Sequence, residues 1–457
     1  MSKIGLQLSV AKMTAAGVGD AAIDFFTRQY HKLEAGATGL IAEASIRPLL
    51  DPPRFDADAA LPADAVRQAM SHLVVIKLNG GLGTSMGLDG PKSLLAVRDG
   101  RSFLDLIVAQ VLTARRRFDV DLPLLLMNSF STNDATRQAL TRYPELPVRG
   151  LPSSFVQSKE PKLRADDLTP VDWPDDPSLE WCPPGHGDIY TTLADTGLLD
   201  ALIDAGCWYA FVSNADNLGA NPNAGLATWF AASGAPYAAE LCRRTVNDKK
   251  GGHLAIRLAD ERLILRDTAQ TAPDEMTYFT DEHRHPFFHT NNLWWDLRAV
   301  RQQLANGTFD LPLIRNTKTV DPTNKTSTPV VQIETAMGAA IEAFAGAQAI
   351  EVSRDRFVPV KKTNELLLLR SDVYEITPDA QLRALVDVLP RVDLGARYQF
   401  VDDFEARIPV APSLREASSL VVPGDWTFGS GVHIKGDVVL PDDNEAHVIP
   451  DGATLES

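Results

Sequence analysis

Cysteine is scarce in this chain of 457 residues, which contains only three. Cys182, Cys207 and Cys242 are odd in number and far apart in the sequence. This spacing indicates neither a disulfide framework nor a zinc site. We therefore expect reduced, chemically idle thiols in a cytoplasmic protein.

Positive charge and long apolar runs are also lacking. Asp and Glu outnumber Lys and Arg by 60 to 44, and a formal net charge of −16 argues against a nucleic-acid surface. A small basic pocket for an anionic ligand stays compatible with this charge, because salt screens distant charges beyond ~8 Å. No uncharged apolar run approaches the ~20 residues that span a bilayer, and none follows Lys3. The sequence predicts a soluble protein without a membrane partner.

The most informative segment that the chain does contain is VVIKLNGGLGTSMGLDGPKS, residues 74–93. Its β-branched start at residues 74–76 is typical of a strand buried on both faces of a mostly parallel sheet. Glycines then let the backbone approach a ligand closely and expose its N–H groups to an anion. Lys92 adds a positive charge at the far end of the segment. The pattern predicts a phosphate-binding loop.

Two familiar phosphate motifs do not match this loop. A Walker loop needs a glycine directly before its lysine, and Pro91 occupies that position. A dinucleotide fingerprint needs the spacing G-x-G-x-x-G, whereas the glycines from 81 to 87 are spaced G-x-G-x-x-x-G. An ordinary glycine-rich turn between strand and helix is a third interpretation, which the lysine and the preceding strand disfavour.

Further stretches follow the loop in a fixed order. They are LLLMNSF (124–130), SFVQS (154–158), PPGHGDIY (183–190), FVSNADNLGA (211–220), KKGG (249–252), TNNLW (290–294), QIETAMGAAI (332–341) and RFVPVKKTNELLLL (356–369). Together with the loop they extend over residues 74–369. In content and order they resemble the UTP–glucose-1-phosphate uridylyltransferases, or UDP-glucose pyrophosphorylases, in the form found in eukaryotes and some bacteria.

The fold class predicted from these patterns is α/β. Strands and helices alternate through the central region, with a strand ending near Lys77, an amphipathic helix over about 102–118 and a strand over 122–127. Ser102 is expected to cap that helix, and its cationic end favours the negative end of the helix dipole. The resemblance implies a mixed, mostly parallel central sheet flanked by helices, of the nucleotidyltransferase, GT-A-like kind.

Three regions are expected along the chain: an N-terminal helical cap over 1–45, a catalytic nucleotidyltransferase domain over 46–372, and a linker helix with a β-helix domain over 373–457. The linker helix is predicted over about 378–389. After it, apolar pairs alternate and glycines recur at short intervals, which suits a few coils of a β-helix. The resemblance implies a small left-handed β-helix, whose open edges would allow self-association.

The reaction implied by the resemblance joins UTP and glucose 1-phosphate reversibly to give UDP-glucose and pyrophosphate. The sugar phosphate attacks the α-phosphorus in line with the departing pyrophosphate, so no enzyme nucleophile is needed. Catalysis then consists of positioning two anions and stabilising charge at phosphorus. It requires cations, a metal carboxylate and backbone donors.

Lys92, Lys361 and Asp216 match the catalytic positions of the family. The lysines are assigned to the phosphates, although a single lysine is usually a solvated surface group and Lys362 leaves the register of Lys361 open. Asp216 follows the strand predicted over 209–213 and is assigned to Mg²⁺, the expected cofactor. A turn or N-cap aspartate is the alternative interpretation of that segment alone.

The remaining matches are assigned to substrate. Met127 and Gln157 match uracil contacts, since a thioether packs on the ring and an amide pairs with its polar edge. His186 lies in a rigid Pro/Gly loop and suits a hydrogen bond to phosphate, although a lone loop histidine is more often incidental. Asn214 is assigned to sugar or ribose hydroxyls. The complete set of substrate-binding candidates is Leu78, Asn79, Gly80, Gly81, Gly83, Met127, Gln157, Gly185, His186, Asn214, Gly252, Asn291 and Asn292.

Two positions depart from the family pattern: His289 stands where the family often has an asparagine, and Asp89 stands where many relatives carry a basic residue beside the loop. A UDP-N-acetylhexosamine or broad-specificity UDP-sugar pyrophosphorylase is the alternative enzyme, disfavoured by the run Asn79, Gly80, Gly81 and by TNNLW. A catalytically silent nucleotide-binding scaffold is the alternative outside enzymes. The presence of Lys92 and Asp216 disfavours it.

Overall fold

The structure, a computed structural model, describes residues 2–245, 248, 251–307 and 309–456. Lys249 and Lys250 of the KKGG stretch lie outside the described residues. The α-helices are α1 (Ser2–Ala15), α2 (Asp20–Glu34), α3 (Ala63–Ser71), α4 (Phe103–Phe118), α5 (Asn133–Leu140), α6 (Ile189–Asp195), α7 (Leu198–Asp204), α8 (Ala224–Ser233), α9 (Met276–Phe279), α10 (Leu297–Ala305), α11 (Thr363–Arg370) and α12 (Val401–Arg407).

Strands are distributed along the whole chain after α2. They are β1 (Ile46–Pro48), β2 (Leu73–Asn79), β3 (Ala96–Arg98), β4 (Arg101–Ser102), β5 (Leu124–Asn128), β6 (Ser154–Val156), β7 (Glu160–Pro161), β8 (Leu163–Arg164), β9 (Trp181–Cys182), β10 (Tyr209–Asn214), β11 (Tyr237–Arg243), β12 (His253–Arg257), β13 (Leu263–Arg266), β14 (Phe287–Asp296), β15 (Ile314–Thr319), β16 (Pro329–Glu334), β17 (Gln348–Glu351), β18 (Tyr374–Ile376), β19 (Leu382–Ala384), β20 (Arg391–Leu394), β21 (Ser413–Val422), β22 (Asp425–Phe428), β23 (His433–Val439), β24 (Ala446–Ile449) and β25 (Thr454–Glu456).

A seven-stranded sheet with the order β17-β11-β14-β10-β2-β5-β6 forms the centre of the molecule. Neighbouring strands run parallel except at β14, which is antiparallel to both β10 and β11. The predicted mixed, mostly parallel α/β sheet is therefore confirmed. Strand β2 is an interior strand of this sheet, between the central strand β10 and β5, so the glycine loop follows an interior strand rather than an edge strand.

Apolar side chains cover both faces of this sheet. On one face Val75 and Phe211 pack against residues of α3, α4 and α8. On the other face Val74, Ile76 and Val212 pack against α6, α7 and α10. Burial on both faces explains why β2 begins with an uninterrupted β-branched run rather than alternating apolar and polar residues.

Helix α4 confirms the helix expected near residues 102–118. The Ser102 Oγ accepts a hydrogen bond from the Asp105 N–H at 3.2 Å, and the Asp105 carboxylate accepts one from the Ser102 N–H at 2.7 Å. This reciprocal capping satisfies two N–H groups that the first turn leaves unpaired. At the other end Arg115 donates to the carbonyls of Leu122 and Leu146. Its side chain ties α4 to the following loops instead of being fully solvated.

The helix predicted over 378–389 is wrong, because the segment forms a hairpin. β18 pairs with β19 in antiparallel register, and the connecting turn places Ala380 at a φ of 58°. In that turn the Thr377 N–H donates to the Gln381 carbonyl at 2.9 Å. The apolar residues of the segment do not form a packed stripe, since Val388 is 81% exposed. A tight turn at 377–381 overrides their helical spacing.

The chain ends in parallel strand ladders. β20, β21, β23 and β25 form one ladder, and β22 and β24 form another. Buried side chains from these strands and their connections join the apolar cluster on the α3/α4/α8 face of the central sheet: Leu414, Leu420, Phe428, Val432, Ile434, Val438, Leu440 and Ile449. The apolar residues that were expected to alternate over 426–440 are thus ones whose side chains face a core.

At the other end, α1 and α2 form a separate apolar cluster with side chains of β8 and β16. The three cysteines are free and buried. Among the described residues, the helices are too short or too polar to traverse a bilayer.

Candidate active site

A cleft of about 320 Å³ opens where β2, β5 and β10 end. Because these strands are parallel, their carboxyl ends meet at one edge of the sheet, where open α/β sheets bind ligands. The lining residues are Leu78, Asn79, Gly80, Gly81, Lys92, Ser93, Met127, Gln157, Pro183, Gly185, His186, Asn214, Ala215, Asp216 and Lys361. Of the candidates from sequence, Gly83, Gly252, Asn291 and Asn292 are the ones that do not line it.

The glycine loop forms a narrow hairpin that returns Lys92 to its own start. The Lys92 N–H donates to the Gly81 carbonyl at 3.2 Å. A Cβ added at Gly81 would have no heavy atom within 4 Å, so this residue faces open space. At Gly83, by contrast, a Cβ would lie 2.4 Å from the Leu88 side chain. Gly81 leaves room for a ligand, whereas Gly83 allows the hairpin to close.

Lys92, Asp216 and Lys361 form an ion-paired cluster in the cleft. The Asp216 Oδ2 lies 2.9 Å from the Lys92 Nζ and 3.2 Å from the Lys361 Nζ. Burial alone would raise the pKa of Asp216, but the positive charges of Lys361 and Lys92 outweigh it and hold the pKa below the usual range. Lys92 also donates to the Val360 carbonyl. Asp216 is therefore an ionised carboxylate held between two cations.

The second carboxylate oxygen of Asp216 fits a metal ion. Asp216 Oδ1 is buried and has no hydrogen-bond partner among the described residues. Asp216 is also the one carboxylate among the described residues that line the cleft. Mg²⁺ prefers oxygen ligands, keeps several waters and is held by one or two carboxylates together with substrate phosphates. The donor set matches that requirement.

His186 is fixed in one tautomer. Its Nδ1 accepts a hydrogen bond from the Met337 N–H at 2.9 Å. Burial, with a smaller contribution from Lys361, lowers the pKa of His186 to about 4. The neutral ring therefore carries its proton on Nε2, which makes His186 a hydrogen-bond donor. The preceding Gly185 has a φ of 81°, and a Cβ there would lie 2.5 Å from the Thr335 carbonyl oxygen, so glycine is required.

The cleft wall at β5 and β6 is apolar at Met127 and polar at Gln157. Both side chains are largely buried, and the Gln157 N–H donates to the Asn128 carbonyl at 2.8 Å. The Asn79 amide donates to the Asn128 Oδ1 at 2.8 Å and to the Thr136 Oγ1 at 2.9 Å. The side chain of Asn79 thus holds the end of β2 against β5 and α5.

An irregularity in β14 directs the side chains of two neighbouring asparagines to different places. Pairing with β11 shifts register between Ala239 and Leu241, and Asn291 adopts a φ of 63°. Asn291 Nδ2 then donates to the Asn214 Oδ1 at 3.0 Å, at the cleft. Asn292 instead is fully buried and donates to the Glu240 Oε2 at 3.0 Å. The side chain of Asn292, which the sequence assigned to the sugar, therefore points into the protein.

Gly252 and the two departures from the family pattern lie around the cleft rather than in it. The Gly252 carbonyl accepts a hydrogen bond from the His289 N–H at 2.7 Å. Burial, with the nearby His186, lowers the pKa of His289 to about 3, so this ring is neutral. Asp89 is exposed at the tip of the glycine hairpin. Its charge does not line the cleft.

Sequence reasoning missed the polar groups beneath the cleft. Lys77, Glu240 and Arg356 are each at most 4% exposed. They surround the loop that carries Asp216, through contacts described below. The signal available in the sequence was Lys77, a lysine in the apolar strand β2.

Comparisons with known proteins agree with the geometry. The sequence profile of the family described as UTP–glucose-1-phosphate uridylyltransferase matches residues 23–435. The chain is 39% identical over 392 residues to the UTP–glucose-1-phosphate uridylyltransferase of Saccharomyces cerevisiae, covering 85% of this chain and 78% of that protein. It is 38% identical over 399 residues to the enzyme of Hordeum vulgare, covering 86% and 82%.

Solved structures are similar over nearly the whole chain. The UDP-glucose phosphorylase of Trypanosoma brucei superposes with a TM-score of 0.89 at 40% identity, covering 99% of this chain and 98% of that one. A variant of the UDP-glucose pyrophosphorylase of Leishmania major in complex with UDP-glucose gives a TM-score of 0.92 at 41% identity, with coverage of 99% and 98%. The chain therefore belongs to the UTP–glucose-1-phosphate uridylyltransferase family, as its motifs predicted.

Proposed function

We propose that this protein transfers a uridylyl group reversibly from UTP to glucose 1-phosphate, giving UDP-glucose and pyrophosphate. The observation that carries the proposal is the ion-paired cluster of Lys92, Asp216 and Lys361 beside a glycine hairpin, in one cleft of the central sheet. Two cations and an ionised carboxylate are what a displacement at phosphorus needs, because charge stabilisation and positioning supply most of the catalysis. Membership of the family supports the choice of substrates.

In this proposal the two lysines exchange partners when substrate binds. Lys92 and Lys361 neutralise Asp216 in the free protein, and they turn toward phosphate oxygens once UTP and the sugar phosphate enter. The backbone N–H groups of the glycine hairpin and the Nε2–H of His186 add uncharged donors to the anions. The sugar phosphate then attacks the α-phosphorus in line with pyrophosphate, which leaves without a covalent enzyme intermediate.

We assign Mg²⁺ to Asp216 Oδ1, the buried oxygen without a described partner. When bound there, the ion would neutralise charge on the α-phosphate. The uracil ring is assigned to Met127 and Gln157, and the sugar or ribose hydroxyls to Asn214 and Asn291. The neutral amides of these asparagines are both donors and acceptors, which suits hydroxyl groups.

The decisive experiment measures pyrophosphate release from UTP and glucose 1-phosphate, with and without Mg²⁺, in the parent and in Lys92→Ala. We expect Mg²⁺-dependent release in the parent and a loss of about 100-fold to 1000-fold in kcat for the variant, the effect of removing one preorganised charge stabiliser (~2.7–4 kcal/mol). Lys435→Ala, which removes a half-exposed lysine from the C-terminal ladder, is the control and keeps parental kinetics.

Near-parental turnover of Lys92→Ala would refute the role of this lysine. Turnover of N-acetylglucosamine 1-phosphate comparable to that of glucose 1-phosphate would refute the sugar assignment. Both measurements use the same assay of pyrophosphate release.

We further propose that the C-terminal ladders are coils of a small left-handed β-helix, in a chain divided at residues 45 and 372. Asp425 pairs with Ala446 and His433 with Thr454, each 21 positions later, whereas Leu420 pairs with Val438 18 positions later and Arg391 with Ser419 28 positions later. Successive parallel partners of this kind are what stacked coils of unequal length produce. A second copy of the chain is proposed to meet the open edge of the last coil.

We also propose a cytoplasmic location, which the free, buried cysteines support.

A further inference from the structure

Two buried basic side chains, Lys77 and Arg356, bind the loop that carries Asp216 without lining the cleft. The loop follows β10 and leads to α8, and we call residues 213–221 the metal loop. Lys77 is 1% exposed and Arg356 is 4% exposed, and neither lines the cleft. A buried cation is stable only where its donors find partners, so the partners of these two side chains define what they do.

Lys77 closes the base of the metal loop. Its Nζ donates to the Ser213 Oγ at 2.7 Å and to the Ala220 carbonyl at 2.6 Å. These two acceptors lie on either side of Asp216 in the sequence. The amino group of a single lysine in β2 therefore joins the entry and the exit of the loop, and fixes the distance between them.

Arg356 binds the same loop from a second direction. Its Nη1 donates to the Gly219 carbonyl at 3.2 Å and to the Asn221 carbonyl at 2.8 Å. With the Ala220 carbonyl bound by Lys77, three consecutive carbonyls of the metal loop accept hydrogen bonds from buried basic side chains. The Lys77 Nζ and the Arg356 guanidinium also lie over the ring of Phe211 in β10, at 5.7 and 5.3 Å from its centroid.

Glu240 neutralises the guanidinium. Its carboxylate is fully buried and accepts from the Arg356 Nε at 3.0 Å and from the Nη2 at 2.7 Å. It also accepts from Asn292 and from the Trp294 indole. The fork-to-fork geometry fixes the orientation of the guanidinium, and so of the carbonyls that it binds.

The hydrogen-bond network around Arg356 also extends to Lys361, the second lysine of the cleft. The Arg356 carbonyl accepts from the Asn217 Nδ2 at 3.1 Å, and the Asn217 Oδ1 accepts from the Val358 N–H at 2.9 Å. The Val360 N–H donates to the Asp216 carbonyl at 3.2 Å. Through these bonds the segment that ends in Lys361 lies alongside the metal loop. One buried network thus sets the relative positions of Asp216 and Lys361.

We infer that Lys77 and Arg356 are positioning residues, which act through the metal loop to hold the Asp216 carboxylate in the geometry required for a divalent cation and the α-phosphate. The inference rests on the proposed function. Lys77 and Arg356 touch no substrate, so their replacement is expected to lower metal affinity and kcat, with little change in the KM for UTP. A displacement of about 1 Å is enough to lower a rate about 100-fold.

The test compares Lys77→Met with a matched variant, Lys162→Met. Lys162 is also buried and donates to a backbone carbonyl, that of Val320 at 2.8 Å, but it lies away from the cleft. For Lys77→Met we expect kcat to fall about 100-fold and the Mg²⁺ concentration for half-maximal activity to rise about tenfold, as for residues that orient a metal ligand. Lys162→Met is expected to lose stability but keep the parental kcat and metal requirement.

Metal affinity is also measured without turnover, as Mn²⁺ binding followed by electron paramagnetic resonance in the presence of UTP. Arg356→Lys is expected to weaken Mn²⁺ binding, because an ammonium group cannot form the bidentate contact with Glu240 and also bind two carbonyls. Equal Mn²⁺ affinity and kcat in parent, Lys77→Met and Arg356→Lys would overturn the inference. If Lys77→Met does not fold, Ser213→Ala replaces it, since it removes only one acceptor of Lys77; parental Mn²⁺ affinity and kcat in that variant would overturn the inference as well.

Asp216→Asn separates the two proposals. If Asp216→Asn leaves Mn²⁺ affinity and kcat unchanged, the proposed function fails at its metal site. If Asp216→Asn abolishes both while Lys77→Met and Arg356→Lys resemble the parent, the proposed function stands and the positioning inference alone is refuted.

Discussion

Two glycines that line the cleft, Gly81 and Gly185, differ in what surrounds them. A methyl group at Gly81 would contact no protein atom within 4 Å, whereas one at Gly185 would lie 2.5 Å from a backbone oxygen. Gly185 also has a positive φ, which side chains other than hydrogen tolerate poorly. The two glycines therefore have different functions although both line the cleft.

This difference predicts opposite outcomes for two alanine substitutions. Gly81→Ala is expected to keep the parental melting temperature and to raise the KM for UTP about tenfold, a loss of ~1.4 kcal/mol, because its methyl group occupies ligand space. Gly185→Ala is expected to lower the melting temperature. Calorimetry and initial rates measure the two effects; an unchanged KM for Gly81→Ala would show that nucleotide does not approach this backbone.

The charge of buried Lys77 predicts a pH dependence of stability. Burial, followed by repulsion from Arg356, lowers the pKa of Lys77 from 10.5 to about 7, although Glu240 and Asp216 oppose the shift. Between these two values the unfolded chain binds a proton that the folded protein does not. The free energy of unfolding contributed by Lys77 therefore rises with pH above about 7, by up to ~1.4 kcal/mol per pH unit.

Urea unfolding of the parent and of Lys77→Met from pH 7 to pH 10 measures this contribution, because subtracting the variant cancels the other titrating groups. We expect the difference in unfolding free energy to shift in favour of the parent as the pH rises. A difference that is constant over this range would mean that Lys77 stays protonated in the folded protein.

At the scale of elements, local patterns predicted the helix α4 and the strands β2, β5 and β10 to within about two residues. These elements are long or strongly apolar, and α4 carries a complete capping box. The segment 378–389 has a similar apolar spacing, but a turn around Ala380 produces a hairpin instead. Its short-range hydrogen bonds, rather than its periodicity, decide its structure.

The irregular stretch of β14 is the other element that the sequence did not reveal. Strand alternation predicts that neighbouring side chains lie on opposite faces, but it does not say which of two asparagines faces a ligand. The register shift opposite Glu240 and the positive φ of Asn291 direct that side chain to Asn214 and direct Asn292 to Glu240. Bulges re-aim side chains in this way next to functional sites.

At the scale of the molecule, the C-terminal ladders end in unprotected strands. Among the described pairings, β24 pairs only with β22 and β25 only with β23. Val448 in β24 is 73% exposed. An open edge with an exposed apolar residue is a template for pairing with another chain.

We predict from this edge that the protein associates with itself through the last strands of the C-terminal ladders. Sedimentation velocity over a range of concentrations is expected to show species larger than one chain, and Val448→Lys is expected to shift them to the monomer, since a lysine on an edge strand opposes pairing. The parent sedimenting as a monomer at every concentration would contradict the proposed contact.

The sequence by itself determined the α/β class, the glycine-rich loop that ends in Lys92, the strand end that presents Asp216, and the family. Each is encoded in a continuous run of residues whose spacing and chemistry are sufficient. Only the tertiary structure decided that Lys361 meets Asp216, that Asn292 faces inward, and that Lys77 and Arg356 bind the metal loop. These contacts join residues far apart in the chain, because strand order and register bring them together. The glycine loop could therefore be identified from the sequence, whereas the residues that hold the Asp216 carboxylate in place could not.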